Sequence, residues 1–293
     1  MINQKKAYFY GLTAVLLWST VASAFKLSLR YLDNLELLVI SDAFSTTTLA
    51  IMLILSRGFG QVLHCTRKEY LRSFLLVILN PFLYYLILFR AYELLPAQEA
   101  QPLNYTWAIT LALLSVPLLG QKITAADFIG LLLGYFGVVI ISTRGLISGF
   151  HISEPAGVAL ALGSTLIWAL YWIYCTSDSR DPIVCLFMSF AFSILPAALY
   201  YGLFHQFRVP EMSGVAGAAY VGAFEMSITY VLWLLAMRYS ENTARVAGLI
   251  FISPFLSLVF IHYLVGEPIR CSTMAGLILI TAGLLVQKYG SRV

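Results

Sequence analysis

Apolar residues dominate the chain in long blocks that short polar segments interrupt. Ten such blocks run over Ala7–Leu29, Leu35–Ser56, Ser73–Leu95, Ala97–Leu119, Ala125–Ser142, Pro155–Cys175, Ile183–Phe204, Val215–Met237, Ala244–Leu264 and Ser272–Lys288. Each approaches the ~20 residues that carry a helix across ~30 Å of hydrocarbon. A membrane barrel would instead show ~10-residue segments of alternating polarity, so the pattern predicts transmembrane helices. Composition agrees: 60% of the 293 residues are hydrophobic and 11% charged, against roughly 25% charged in soluble domains. Mean hydropathy is +0.85. The longest connection, residues 57–72, leaves no room for a nucleotide-binding domain. No G-x-x-x-x-G-K-[ST] occurs either.

The blocks repeat. A shift of 146 positions aligns Gly11 with Gly157, Leu16 with Leu162, Phe44 with Phe190 and Tyr84 with Tyr230. It also aligns Gly120 with Gly266, Ile123 with Ile269, Gly130 with Gly276 and Gly137 with Gly283. The expected organisation is therefore an all-α membrane protein of ten spans in two five-helix repeats, residues 1–146 and 147–293. An odd number of spans per repeat makes the second enter the bilayer from the opposite face, an inverted repeat with a binding site at the midplane where the halves meet.

Charge sets the expected orientation. Lys5, Lys6, Arg57, Arg67, Lys68, Arg72, Lys122, Arg180, Arg238, Lys288 and Arg292 fall on the side of the termini. Arg30, Arg90, Arg144, Arg208 and Arg270 fall on the other. Eleven cations against five predicts cytoplasmic termini in a bacterial inner membrane, with an uncleaved first helix. The same asymmetry accounts for the net charge of +4 without a nucleic-acid partner. Cys65, Cys175, Cys185 and Cys271 have no C-x-x-C spacing, so reduced thiols are expected, with neither a structural metal nor a cofactor.

Motifs at the end of each half carry a resemblance. The first reads Pro117-Leu-Leu-Gly-Gln-Lys-Ile-Thr, then Gly130-x6-Gly137. The second reads Pro254, Gly266-Glu-Pro-Ile-Arg, then Gly276-x6-Gly283. With the opening Gly11-x6-Trp18-Ser-Thr, these resemble the drug/metabolite transporter superfamily, in the branch built from two EamA domains. Gln121 departs from the acidic residue of that pattern, so the carboxylate is not required in both halves. The segment Glu99-Ala-Gln-Pro-Leu-Asn-Tyr-Thr-Trp107 is similar to one in bacterial aromatic amino acid exporters of this family, with Ala108 where a proline usually follows. The resemblance implies an exporter of small metabolites, amino acids including aromatic ones being the leading class. It also implies alternating access around a midplane cavity. An uncoupled facilitator of nucleosides, polyamines or quaternary amines is the alternative. A lipid-modifying enzyme fits less well, since no H-E-x-x-H or paired-carboxylate arrangement occurs. A non-transporting sensor is the third option.

Polar residues at membrane depth are the candidate site, because each is costly there. Glu225 lies midway along its span and reads as a proton switch or substrate ligand, or as a hydrogen-bonded structural group. Asp42, on a stripe with Ser41, Ser45 and Thr46 to Thr48, is a second proton-coupling candidate, or part of interhelical bonding. Gln101, Asn104, Tyr105 and Trp107 are expected to line the cavity from the fourth span, with Gln98 and Glu99 nearer the headgroups. Tyr84, Trp168, Trp172 and Tyr230 offer aromatic walls, or ordinary packing. Pro254 marks an expected hinge. Lys26 is expected to snorkel to the interface, or else to counter a substrate carboxylate, and Arg245 to meet phosphates or anionic substrate groups. The expected partners are a small-molecule substrate, the bilayer and a coupling proton, in a monomer or weak homodimer.

Overall fold

The computed structural model describes residues 3–119, 125–146, 152, 154–175, 178, 180–204, 209–239 and 248–290. Among these residues no strand occurs; nearly all are helical. The helices are α1 (Gln4–Ser28), α2 (Asn34–Leu55), α3 (Arg67–Leu94), α4 (Ala97–Tyr105, then Trp107–Leu119) and α5 (Ala125–Ser142). They continue with α6 (Pro155–Cys175) and α7 (Pro182–Phe204). Next come α8 (Met212–Tyr220, Val221–Ile228 and Thr229–Tyr239), α9 (Gly248–Ile252, Ser253–Phe260 and Ile261–Val265) and α10 (Cys271–Gly290). A short helix, Phe59–Leu63, lies between α2 and α3.

The starts of α2 and α3 are written into the sequence. Asp33 and Glu36 close a reciprocal capping box at α2, and Thr66 and Glu69 do the same at α3; each satisfies backbone donors that the first turn leaves free. Irregular turns interrupt two rods. In α3 a wide turn spans Ile78–Leu83, where Asn80 leaves the helical region and Pro81 has no N–H to offer. In α8 a wide turn spans Val221–Ile228. The 146-residue shift carries residues 78–83 onto 224–229, which overlap the second turn.

Burial runs opposite to that of a water-soluble protein. Large apolar side chains face outward, with Phe9 67%, Leu55 79% and Leu203 77% exposed. Carboxylates and amides point inward, Glu36, Asp42, Gln98, Glu99, Gln101, Asn104 and Glu225 among them. Such continuous exposed apolar surface requires a nonaqueous neighbour. Five helices are long and apolar enough to cross a bilayer: Gln4–Ser28, Asn34–Leu55, Arg67–Leu94, Ile183–Phe204 and Met212–Ala236. The protein is a multi-pass membrane protein.

Packing follows a regular scheme. α1 packs on α8 and α9, while α6 packs on α3 and α4. α2 packs on α7 and α8, while α7 also packs on α3. α5 and α10 form the most extensive pair and run antiparallel, since Gly130 meets Gly283, Gly137 meets Gly276 and Ala126 meets Gly290. A Cβ on Gly137 would stand 2.5 Å from the Gly276 carbonyl oxygen. Only glycine therefore permits the approach, in the manner of small-residue membrane interfaces.

At one end of the bundle, the connection between α6 and α7 is tied to α3. The Asp178 carboxylate accepts from the Arg180 guanidinium at 2.6 Å and faces Arg72 at 3.7 Å. Arg72 also donates to the Tyr174 carbonyl at 2.6 Å, and Arg180 to the Glu69 carbonyl at 3.3 Å. The hydrogen bond from Arg180 is the main cause that holds the Asp178 carboxyl down to about 2. Cys65, Cys185 and Cys271 are free thiols.

Two outcomes follow from this packing. Gly276→Ala, whose methyl would lie 2.5 Å from Ile141 Cγ1 and 2.7 Å from the Gly137 carbonyl, is expected to lose about 1–3 kcal/mol by overpacking. Gly163→Ala, with nothing within 4 Å of the added Cβ, should be neutral or slightly stabilising; thermal unfolding in detergent compares the two. A depressed carboxyl pKa stabilises the folded state above the unfolded value, and that contribution fades as pH falls through the folded one. The wild-type advantage over Asp178→Asn should therefore be full at neutral pH and shrink below about pH 4, the usual aspartate range.

Candidate functional site

The polar interior gathers where α1, α3, α4, α6, α8 and α9 meet. The wide turn of α8 carries Glu225, and the turn of α3 opens directly into Tyr84 and Tyr85. The Tyr85 hydroxyl donates to Glu225 Oε1 at 3.4 Å. The Tyr84 hydroxyl donates to Asn104 Oδ1 at 3.4 Å, and Asn104 Nδ2 donates to Ser164 Oγ at 2.9 Å. The Tyr105 hydroxyl donates to Ser253 Oγ at 2.9 Å, and Ser19 reaches the same oxygen at 3.3 Å. Glu225 Oε2 and Gln101 Oε1 are buried with no protein partner.

Aromatic rings enclose this network. Tyr84 stacks on Trp168 at 4.6 Å between centroids, and Tyr230 meets the same indole edge-on at 5.8 Å. Trp18 lies edge-on to Tyr230 at 5.9 Å and against Trp233 at 5.4 Å. Tyr84 and Tyr230 are equivalents under the 146-residue shift, so repeat-related tyrosines grip one tryptophan. Glu225 and Asn104 still expose 8% and 9% of their surface, although they sit inside the bundle.

Of the residues singled out from sequence, the structure brings together Tyr84, Trp168, Tyr230, Glu225 and Asn104, with Tyr105 joined through Ser253. Gln101 is buried on the same helix, and Trp107 is partly buried against the core. Trp172 lies on α6, but its side chain is outside the described residues, as are Arg245 and Gln121. Asp42 stands apart at the α2–α7 seam, where its Oδ2 accepts from Ser193; Ser45 and Ser227 bond nearby at 2.8 Å. Pro254 begins the α-helical part of α9, directly after a tighter turn over Gly248–Ile252. Sequence reasoning did not place Trp18 or Ser164 in the site. The repeat held the signal, because these two residues are 146 positions apart.

A polar corner lies between α3 and α4. Lys26 does not snorkel: its ammonium donates to the Tyr92 and Leu95 carbonyls at 2.6 and 2.7 Å, capping the end of α3. Pro96 precedes α4 and has no side chain able to cap it. Glu267 substitutes from the α9–α10 turn, accepting from the Ala97 and Gln98 N–H groups at 2.9 and 3.2 Å. Gly266, at φ 83°, makes the reversal that presents it. Gln98 bonds the Pro268 carbonyl and the Arg270 N–H at 2.7 and 2.9 Å. Glu99 is 1% exposed and accepts from both Arg144 and Arg270.

With this geometry in view, comparison with known proteins places the chain. Residues 5–143 and 155–287 each match the EamA-like transporter family. The chain belongs to that family. It is 26% identical to the aromatic amino acid exporter YddG of Escherichia coli K12, over 97% of each chain. It is equally 26% identical to the YddG of Ancylobacter novellus, over 89% of each. An uncharacterized transporter of Bacillus subtilis, YvbV, is 27% identical over 73% of this chain and 70% of its own. A crystal structure at 23% identity shares the fold, with a TM-score of 0.67 over 97% of this chain and 96% of that one.

The corner makes a testable claim. Glu267→Ala orphans the buried donors of Ala97 and Gln98, at a cost of about 1–3 kcal/mol per group. Its midpoint in a detergent melt should fall accordingly, whereas Glu154→Ala, at an exposed position before α6, should leave it unchanged.

Proposed function

We propose that this EamA-family protein is a secondary transporter of the bacterial inner membrane that moves small amine-bearing metabolites outward. Amino acids, including aromatic ones, are the leading class. The observation that carries the reading is Glu225: a carboxylate with one oxygen unpartnered, inside a shell of aromatic rings, in the middle of a membrane bundle. A buried carboxylate is retained at a cost of a few kcal/mol, and a proton or a substrate ammonium offsets that cost. The aromatic faces suit an apolar or aromatic substrate body. The names of the two YddG relatives agree with an aromatic amino acid as cargo.

The mechanism proposed is alternating access between two inverted halves, residues 1–146 and 147–293. Its support is the packing. Exchanging α1–α5 with α6–α10 turns the α1–α8 and α1–α9 contacts into the α6–α3 and α6–α4 contacts. The same exchange returns the α2–α7 and α5–α10 pairs to themselves. Equivalent helices α5 and α10 run antiparallel, as an axis in the membrane plane requires. The wide turns in α3 and α8 and the breaks in α4 and α9 supply bending points at matching positions, with Pro254 at one of them. In this reading the α3–α4 corner holds the outer end closed, the termini are cytoplasmic, and Glu225 carries the coupling proton, with Asp42 as a second candidate.

Counterflow of radiolabelled phenylalanine in proteoliposomes tests the proposal. Exchange that saturates with substrate is expected, accelerated by a pH gradient in the wild type and indifferent to it in Glu225→Gln. Full, pH-dependent transport by Glu225→Gln would remove the proton role; absence of exchange for every amino acid would remove the substrate class.

A further inference from the structure

The charges of the site are one-sided. Glu225 is a carboxylate whose Oε2 has no protein partner; its neighbours are two neutral donors, the Tyr85 hydroxyl at 3.4 Å from Oε1 and the Trp18 indole N–H. Among the described residues, no ion pair reaches it. The cations of the corner are engaged elsewhere: Lys26 with two carbonyls, Arg144 and Arg270 with Glu99. The polar donors nearest the rings are also spent. Asn104 Nδ2 serves Ser164, Ser164 serves the Ala161 carbonyl, and Tyr105 serves Ser253. Around the carboxylate, Tyr84, Trp168, Tyr230 and Trp18 stand in stacked and edge-on contacts, so their π faces look in several directions. A carboxylate within an aromatic shell attracts a cation twice over, by charge and by the ring quadrupoles. It repels an anion, and among the described residues no unspent basic group beside it compensates.

We infer that the site recognises its substrate through the ammonium group alone, with Glu225 as counter-charge and Tyr84, Trp168, Tyr230 and Trp18 as an aromatic cage. The preferred ligand class is then arylalkylamines and amino acid esters or amides, and the free carboxylate of an amino acid is tolerated rather than bound. This rests on the transporter reading of the same site and specifies its chemistry. An amino acid enters with its ammonium toward Glu225 and its side chain between the rings; its carboxylate finds no partner of opposite charge. Removing the carboxylate takes away a repulsion with Glu225. Removing the amine takes away the anchor.

Four probes on one skeleton separate these groups: phenylalanine, phenylalanine methyl ester, phenethylamine and 3-phenylpropionate. Binding to the purified full-length protein is followed through tryptophan fluorescence, and transport by competition in counterflow. Phenethylamine and the ester should bind at least as tightly as phenylalanine, with 3-phenylpropionate failing to compete. Glu225→Gln should weaken phenethylamine roughly tenfold or more, the loss of one charge-assisted contact. Tyr230→Phe, which keeps the ring, should bind phenethylamine within about threefold of the wild type, whereas Tyr230→Leu should weaken it more, by loss of the cation–π face. That pair keeps the test open should the Glu225 variant fail to fold. Competition by 3-phenylpropionate without competition by phenethylamine overturns the inference, as does an unchanged amine affinity in Glu225→Gln. Robust phenylalanine counterflow that phenethylamine cannot inhibit overturns the inference and leaves the transporter reading standing. No binding and no counterflow by any of the four overturns both.

Discussion

Helix ends buried by the rest of the fold must have their free polar groups satisfied, and the junction of α3 and α4 is where this chain meets that demand most severely. Two helices end and begin there within three residues, Leu94 to Ala97, and a proline occupies the capping position. Carbonyls face one way and N–H groups the other, at residues buried by the elements packed around them. Lys26 from α1 answers the carbonyls and Glu267 from the α9–α10 turn answers the donors. The opposite charges match the opposite ends of the helix dipoles. That junction brings first-half and second-half elements into one rigid unit, and the site lies below it.

The corner also sorts the carboxylates. Glu267 caps the start of α4, and Glu99 Oε1 accepts from two arginines. Asp42 is bound to Ser193 at a helix seam. Asp42, Glu99 and Glu225 each keep one buried oxygen without a protein partner, and of these Glu225 is the one bonded to Tyr85 and Trp18 of the aromatic cluster. Its place in a wide turn matters, since such a turn offsets the ladder of hydrogen bonds and is frequent at functional sites.

Close helix contact serves the opposite need. Where α5 meets α10, the backbones approach at glycine. Lipid offers no hydrophobic drive for helices to associate, so this contact depends on fit. A tight glycine-lined pair thus stands beside irregular rods that carry the polar residues. The rigid seam and the bendable rods divide the work between them.

Much of this was legible in the linear chain because its causes are periodic or local. Apolar block length announced helices in a membrane, capping pairs marked the starts of α2 and α3, and the 146-residue shift pointed to Tyr84 and Tyr230 as equivalents. Glu225 and Asn104 stood out because burying a polar group in an apolar block has a cost that composition alone makes visible. What the sequence did not decide was pairing between distant residues. Lys26 near a helix end looks the same whether it snorkels or caps a neighbour 66 residues away. Glu99 looks the same whether it faces headgroups or two arginines from other helices. Trp18 and Ser164 joined the site only when α1 and α6 were brought against α3, α4 and α8. Those choices belong to tertiary structure, because a charge or a ring acquires its role from what lies across the interface, and that distance is not encoded in any local pattern.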